Sequence, residues 1–201
     1  MEEKKPLQSS DASLAAQKKL LGDIYDFIEL FTVAAAIILI LFTFVTRLSV
    51  VEGRSMQNTL HPEDKLLVSG FLYSPKSGDI VVVQSPRVDD GRAIVKRVIA
   101  TEGQTVFIKD NEVYVYNADG SGGKLEETDG SLGYSVFFDP NFPSRYSDMA
   151  PLTVPEGMIF VMGDSRNNSY DSRSFGCVEA SCVVGKVCLR FLPFSSFTVF
   201  P

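Results

Sequence analysis

The sequence predicts a mainly β domain, a sandwich or barrel, carried behind one N-terminal transmembrane helix. Two observations predict it: a single uncharged apolar run near the N-terminus, and a long remainder of short β-branched segments separated by turn residues. A third concerns size. The 201 residues suffice for a membrane segment plus one modest domain.

Composition narrows the function classes. Apolar residues make up 45% and charged residues 22%, the balance of a globular chain rather than a disordered or fibrous one. The net charge of −6, with no long basic run, argues against phosphate neutralisation, so no nucleic-acid partner is expected. Three cysteines without a CxxC pair are too few for a disulfide scaffold or a zinc module, and a single histidine, His61, excludes a histidine-rich metal site. No metal and no organic cofactor is expected.

Residues 1–23 read as a polar cytoplasmic tail, in which Ser9, Ser10 and Asp11 offer an N-cap ahead of an Ala/Lys-rich stretch. Residues 24–46 read as the transmembrane helix. Its uncharged core, LFTVAAAIILILFTFVT, occupies residues 30–46 between Glu29 and Arg47. At 1.5 Å per residue this spans roughly 26 Å, to which the apolar flanks on both sides add. A buried core helix is the rival reading, but no polar face is present. No A-x-A motif closes the run as a cleavable signal would require. Lys4, Lys5, Lys18 and Lys19 before the run outnumber Arg47, Arg54 and Lys65 after it, which tips the N-terminus to the cytoplasm and the rest outside. The expected location is the plasma membrane, single-pass.

Residues 47–201 form the β-rich domain. Strands are expected at 79–83, 93–100, 105–109, 112–116, 157–162 and 183–191, with turns at Ser77-Gly78-Asp79, Asp110-Asn111 and Pro155-Glu156-Gly157. Residues 117–150, rich in Gly, Ser, Asp and Pro, read as a loop-rich insertion.

Three segments carry chemistry. The first, Val51-Glu-Gly-Arg-Ser55-Met-Gln-Asn-Thr-Leu60, places a serine after a glycine just past the apolar run, where a turn would expose its hydroxyl and amide. The second, Ile94-Val95-Lys96-Arg97-Val98-Ile99, sets a lysine and an arginine on opposite faces of an otherwise apolar strand. A lysine there either snorkels to solvent at a sheet edge or is desolvated, and desolvation makes its neutral amine available as a base. The third, Gly163-Asp-Ser-Arg-Asn-Asn-Ser-Tyr-Asp-Ser-Arg-Ser-Phe-Gly176, follows an apolar strand. Pairing of Asp164 with Arg166 and of Asp171 with Arg173 would fix its shape. It is no calcium loop, because Arg166 stands at the third ligand position.

In this order, the anchor, the Gly-x-Ser-Met box, the Gly-Asp-Ile-Val-Val and Val-Lys-Arg-Val-Ile strands and the Gly-Asp-Ser-Arg-x-Asn-Ser-x-Asp-Ser-Arg loop resemble bacterial type I signal peptidase, in its compact one-anchor form. The resemblance covers residues 30–191. It implies a membrane-bound serine endopeptidase that removes signal peptides from exported preproteins, with the preprotein and the lipid bilayer as partners. Ser55 falls on the family's nucleophile and Lys96 on its general base. Ser169 matches the serine that orients that lysine, Asp171 and Arg173 match a supporting ion pair, and Asp164 lies in the same loop. Val51, Leu60, Ile94 and Val95 would line pockets for small substrate side chains on either side of a peptide added as an extra strand.

The chain departs from the commonest family pattern at Gly53, where many relatives carry a hydroxyl that completes the oxyanion hole, at Asn58 in place of proline and at Asn167 in place of aspartate. His61 reads as a loop residue. Whether Cys177 pairs with Cys182 stays open. Three rivals fit less of the sequence. A sortase-like enzyme needs a cysteine–histidine site with a TLxTC motif, which is missing. A LexA-like autopeptidase carries a DNA-binding domain where this chain has its apolar run. A non-catalytic tethered β-domain for adhesion or assembly leaves the lysine strand and the serine-rich loop unexplained.

Overall fold

The computed structural model describes residues 8–126, 136–138 and 148–201. Its contacts divide the chain into two units that meet between Phe44 and Val45. The first is one long helix, α1 (Gln8–Val45), so Ser9, Ser10 and Asp11 lie inside the helix rather than capping it. Among the described residues no helix is long and apolar enough to cross a membrane. The apolar side chains of its middle, Leu30 and Phe31 among them, are exposed.

The second unit is β-structure. Its strands are β1 (Thr46–Val50), β2 (Lys65–Ser69), β3 (Ile80–Gln84), β4 (Ala93–Thr101), β5 (Thr105–Lys109), β6 (Glu112–Tyr116), β7 (Gly122–Lys124), β8 (Met149–Thr153), β9 (Met158–Met162), β10 (Val178–Glu179), β11 (Val183–Leu192) and β12 (Thr198–Val199). They form two sheets. The larger runs β1-β2-β11-β3-β4-β9-β10, with β12 added on β11, and the smaller runs β7-β6-β5-β8. All strand pairings are antiparallel.

The pattern of each strand explains its place. In β5 and β6 only alternate residues are buried (Val106 and Ile108; Val113 and Val115), as in a sheet with one face in the core. Strand β3, by contrast, is buried from Ile80 to Val83, the mark of a central strand covered on both faces. A core cluster joins Ile99, Ala100, Phe160 and Met162 of the large sheet to Val106, Ile108, Val113 and Val115 of the small one, so the two sheets pack face to face.

The sequence-based strands at 105–109 and 112–116 coincide with β5 and β6, and the other four agree within a residue or two. Strand β7 lies inside the stretch expected to be loop-rich, and β8 begins at its last two residues. Glycine-rich 122–124 has no apolar alternation, but its backbone completes the ladder on β6, and 149–153 does the same on β5. Within that stretch residues 127–135 and 139–147 lie outside the described residues. A short described piece, Val136 to Phe138, bridges to Ser165 through Phe137.

Candidate active site

Strands β1 and β2 pair from Thr46↔Ser69 to Val50↔Lys65. The chain between them, residues 51–64, crosses that end of the sheet as a loop. The loop is closed at its base by Val51 N–H donating to the Asp64 carbonyl and Glu63 N–H to that of Val51. Two of its apolar side chains, Met56 and Leu60, sink into a core cluster with Val51, Leu66 and Val82. Ser55, next to Met56, is thereby held half-buried at the loop's crest.

Lys96 approaches from β4. It pairs with β3 (Val81↔Lys96, Ile80↔Arg97) one residue before the β4–β9 ladder begins at Arg97↔Met162, and it is 3% exposed. Its Nζ donates a hydrogen bond to Ser55 Oγ across 2.8 Å. Desolvation pushes its pKa down to about 8, against the smaller opposing pull of the Asp171 carboxylate. Of the two readings open for Lys96, burial is the one observed. Arg97, on the other face, is also buried.

The loop after β9 supplies the remaining groups. Ser165 N–H donates to the Ser55 carbonyl at 2.9 Å, tying this loop to the backbone of Ser55. Asp171 is buried and bonded to Arg173 through both carboxylate oxygens (2.8 and 2.7 Å), and it accepts the Gly163 N–H at 3.0 Å. Burial alone would raise the Asp171 pKa; the Arg173 guanidinium, together with the Gly163 N–H and Ser169, outweighs it and holds the carboxyl below its ordinary range.

Asp164 is a different case. The expected pairing with Arg166 is not formed. The Asp164 carboxylate is gripped instead by Arg97, Nε to Oδ1 at 2.8 Å and Nη2 to Oδ2 at 2.7 Å, with both side chains buried. Arg166 turns back on its own turn and donates to the Gly163 carbonyl. The fork-shaped guanidinium of Arg97, on the neighbouring strand, meets the Asp164 carboxylate bidentately.

Ser169 does not hydrogen-bond Lys96. Its hydroxyl is buried beside Gly163 without a hydrogen-bond partner among the described residues, and it lies near enough to help hold the Asp171 carboxyl down. Gly163 itself could carry no side chain, because a Cβ there would strike both Ser169 Oγ and the Ser55 carbonyl oxygen.

A groove of about 640 Å³ opens in front of Ser55 and Lys96. Strand β1 lines it with Ser49 and Val50, the nucleophile loop with Glu52 and Gly53, and the opposite side with Val82, Asp89, Arg92 and 93–95. Ile94 and Val95 thus face the groove as the sequence suggests. Val51 and Leu60 do not line it: at 3% and 0% exposure they belong to the core behind it, in contact with Val82 and Val95. Gly53 lies in the groove wall with φ of +77°, a conformation that a side chain would strain.

Cys177 packs against the core cluster shared by the two sheets and Cys182 against another on the large sheet, and both are free thiols. Among the described residues no group of three or more metal-ligating side chains occurs.

The sequence reading missed Arg97 as the partner of Asp164, Gly163 as a close-approach glycine, and Thr59, Asp64 and Arg190, which brace the nucleophile loop. A pair such as Arg97–Asp164, 67 positions apart, leaves no local signature.

The chain as a whole is similar to known proteins. A family model described as signal peptidase, peptidase S26, matches residues 24–192. The chain is similar to a probable signal peptidase I-1 of Synechocystis, 35% identical over 87% of this chain and 88% of that protein. It is also similar to a signal peptidase I of Bacillus caldolyticus, 34% identical over 82% of this chain and 90% of the other. A crystal structure of a signal peptidase I from Enterococcus faecalis is 31% identical, covers 57% of this chain and 97% of that one, and superposes with a TM-score of 0.42.

Proposed function

The chain belongs to the signal peptidase family, peptidase S26, and on that premise we propose that it is a serine endopeptidase that removes signal peptides from exported preproteins, with Ser55 as nucleophile and Lys96 as general base. The observation that carries the assignment is the buried Lys96 amine at 2.8 Å from the Ser55 hydroxyl.

The chemistry follows from that contact. A serine hydroxyl is a poor nucleophile unless a neighbouring base takes its proton. Lys96, with its pKa drawn down to about 8, has a sizeable neutral fraction near neutrality. As Ser55 Oγ bonds to the scissile carbonyl carbon, its proton passes to Lys96 Nζ. The ammonium so formed protonates the leaving amine when the tetrahedral intermediate collapses. Lys96, neutral again, then takes a proton from the water that attacks the acyl ester, and hands it to Ser55 Oγ as the ester bond breaks and the acid product leaves. The Ser55 N–H serves as one oxyanion donor.

The groove takes the preprotein extended between β1 and the start of β4, with Ile94 and Val95 limiting the side chains before the cut to small ones. The uncharged run 30–46, which α1 carries as far as Val45, is assigned to the lipid bilayer as the single anchor. The lysine-rich side is cytoplasmic and the β domain is extracytoplasmic. Tethering there brings the groove to substrates whose own apolar segment lies in the same bilayer.

The test is cleavage of a preprotein by the detergent-solubilised chain. Wild type cuts after a small residue, and Ser55→Ala and Lys96→Ala, folded by circular dichroism, do not. Full activity in either variant overturns the dyad. Inertness of the wild type on several preproteins favours the tethered, non-catalytic module.

A further inference from the structure

The nucleophile loop is pinned at one residue from two sides. Thr59 stands one turn beyond Ser55, and the hydrogen bond from Leu60 N–H to the Met56 carbonyl makes that turn a closed unit. The Thr59 hydroxyl donates to Asp164 Oδ2 at 2.5 Å. The same carboxylate is held by Arg97, the strand neighbour of Lys96. One side of Thr59 is therefore linked, through one carboxylate and one guanidinium, to the strand that carries the base.

The other side is linked to β11. Arg190 Nη1 donates to the Thr59 carbonyl at 3.0 Å and to Asp64 Oδ2 at 2.9 Å. Two further donors are used as well: Nε bonds the Ser196 carbonyl at 2.7 Å and Nη2 the Thr198 hydroxyl at 3.0 Å, so the C-terminal turn fixes the guanidinium in turn. Asp64 closes the base of the loop. It is buried, and it accepts the His61 N–H through the oxygen that meets Arg190.

We infer that Thr59 and Arg190 are positioning residues of the reaction: together they set the height of Ser55 over Lys96, Thr59 by coupling the nucleophile loop to the base strand and Arg190 by holding that loop against the opposite strand. Neither lines the groove beside Ser55 and Lys96, so neither touches the substrate. Both act through the Ser55–Lys96 distance. A displacement of about 1 Å in such a contact costs on the order of 100-fold in rate. The inference rests on the Ser55–Lys96 reading and extends it to the residues that hold the two groups together.

The experiment compares the detergent-solubilised full chain with Thr59→Val, Thr59→Ser and Arg190→Lys on one preprotein, with Ser55→Ala and Lys96→Ala in the same series. Thr59→Val keeps the side chain's shape and deletes only the donor. It is expected to lower kcat about 10- to 100-fold with KM nearly unchanged. Its acid limb should also move to higher pH, because a looser loop admits water to Lys96 and returns that amine toward its ordinary pKa. Thr59→Ser restores the donor and most of kcat. Arg190→Lys keeps the charge but loses the fork, and falls between. A merely structural role would lower the melting temperature and leave the acid limb in place. A Thr59→Val enzyme with kcat and acid limb like wild type overturns the inference, as does a rise in KM alone. Activity in Ser55→Ala or Lys96→Ala instead overturns the reading beneath it.

Discussion

Lys96 Nζ and Ser55 Oγ lie 2.8 Å apart although 41 positions separate them in the chain, and the lysine is 3% exposed. Two consequences of that burial are measurable. With Lys96 as the proposed base, the neutral amine is the active form, so kcat/KM should fall about tenfold per pH unit below a midpoint near 8 and level off above it. Lys96→Arg should be inactive across the range, since a guanidinium keeps its proton. A pH–rate profile of both enzymes decides this.

The same burial costs stability. The folded-state pKa of Lys96, about 8, lies below its unfolded value of 10.5, so the folded chain is penalised wherever the unfolded one holds that proton. The penalty is complete below pH 8, fades between 8 and 10.5, and amounts to about 3 kcal/mol. Lys96→Met should be more stable than wild type at pH 7 by a margin of that order, which shrinks as the pH approaches 10.5. Denaturant unfolding of the pair at both ends of the window checks the sign.

Asp164→Ala should be among the most damaging single changes. It leaves the buried Arg97 guanidinium without its carboxylate, and breaking a buried pair from one side costs about 3–5 kcal/mol. Thr59 loses its acceptor at the same time. Urea unfolding of the variant measures the loss.

Gly163→Ala adds one methyl group where Ser169 Oγ and the Ser55 carbonyl already stand. Overpacking of this kind costs about 1–3 kcal/mol. Because one of the displaced atoms belongs to the nucleophile's backbone, kcat should fall more than the stability loss explains. Thermal melts and kinetics on the same preparation separate the two effects.

The three thiols are free, and Cys177 and Cys182 pack into different clusters. A Cys177→Ser, Cys182→Ser enzyme should therefore cleave within about twofold of wild type, as mild changes away from a site do. Unfolded without reductant, the wild type should take up three alkyl groups by mass spectrometry.

Much of this molecule is legible before any coordinates. Strands β5 and β6 announce themselves by their β-branched and aromatic residues and by the Asp110-Asn111 turn between them. The serine box, the lysine strand and the polar loop are each recognisable by local residue type and order. Local composition also marks 30–46 as an apolar run, because periodicity and hydropathy are properties of neighbouring residues.

What local pattern could not carry is everything that depends on which residues meet. It could not decide between a snorkelling and a buried Lys96, since that follows from where β4 sits among its neighbours. It paired Asp164 with the arginine nearest in sequence, whereas the sheet presents Arg97 to it. It placed Val51 and Leu60 at the substrate's side, whereas the fold turns them into the core behind the groove. Sequence by itself determined the chemical groups and the elements that bear them. Only the tertiary structure decided their partners, because burial, hydrogen bonding and a shifted pKa all arise from contacts between segments distant in the chain.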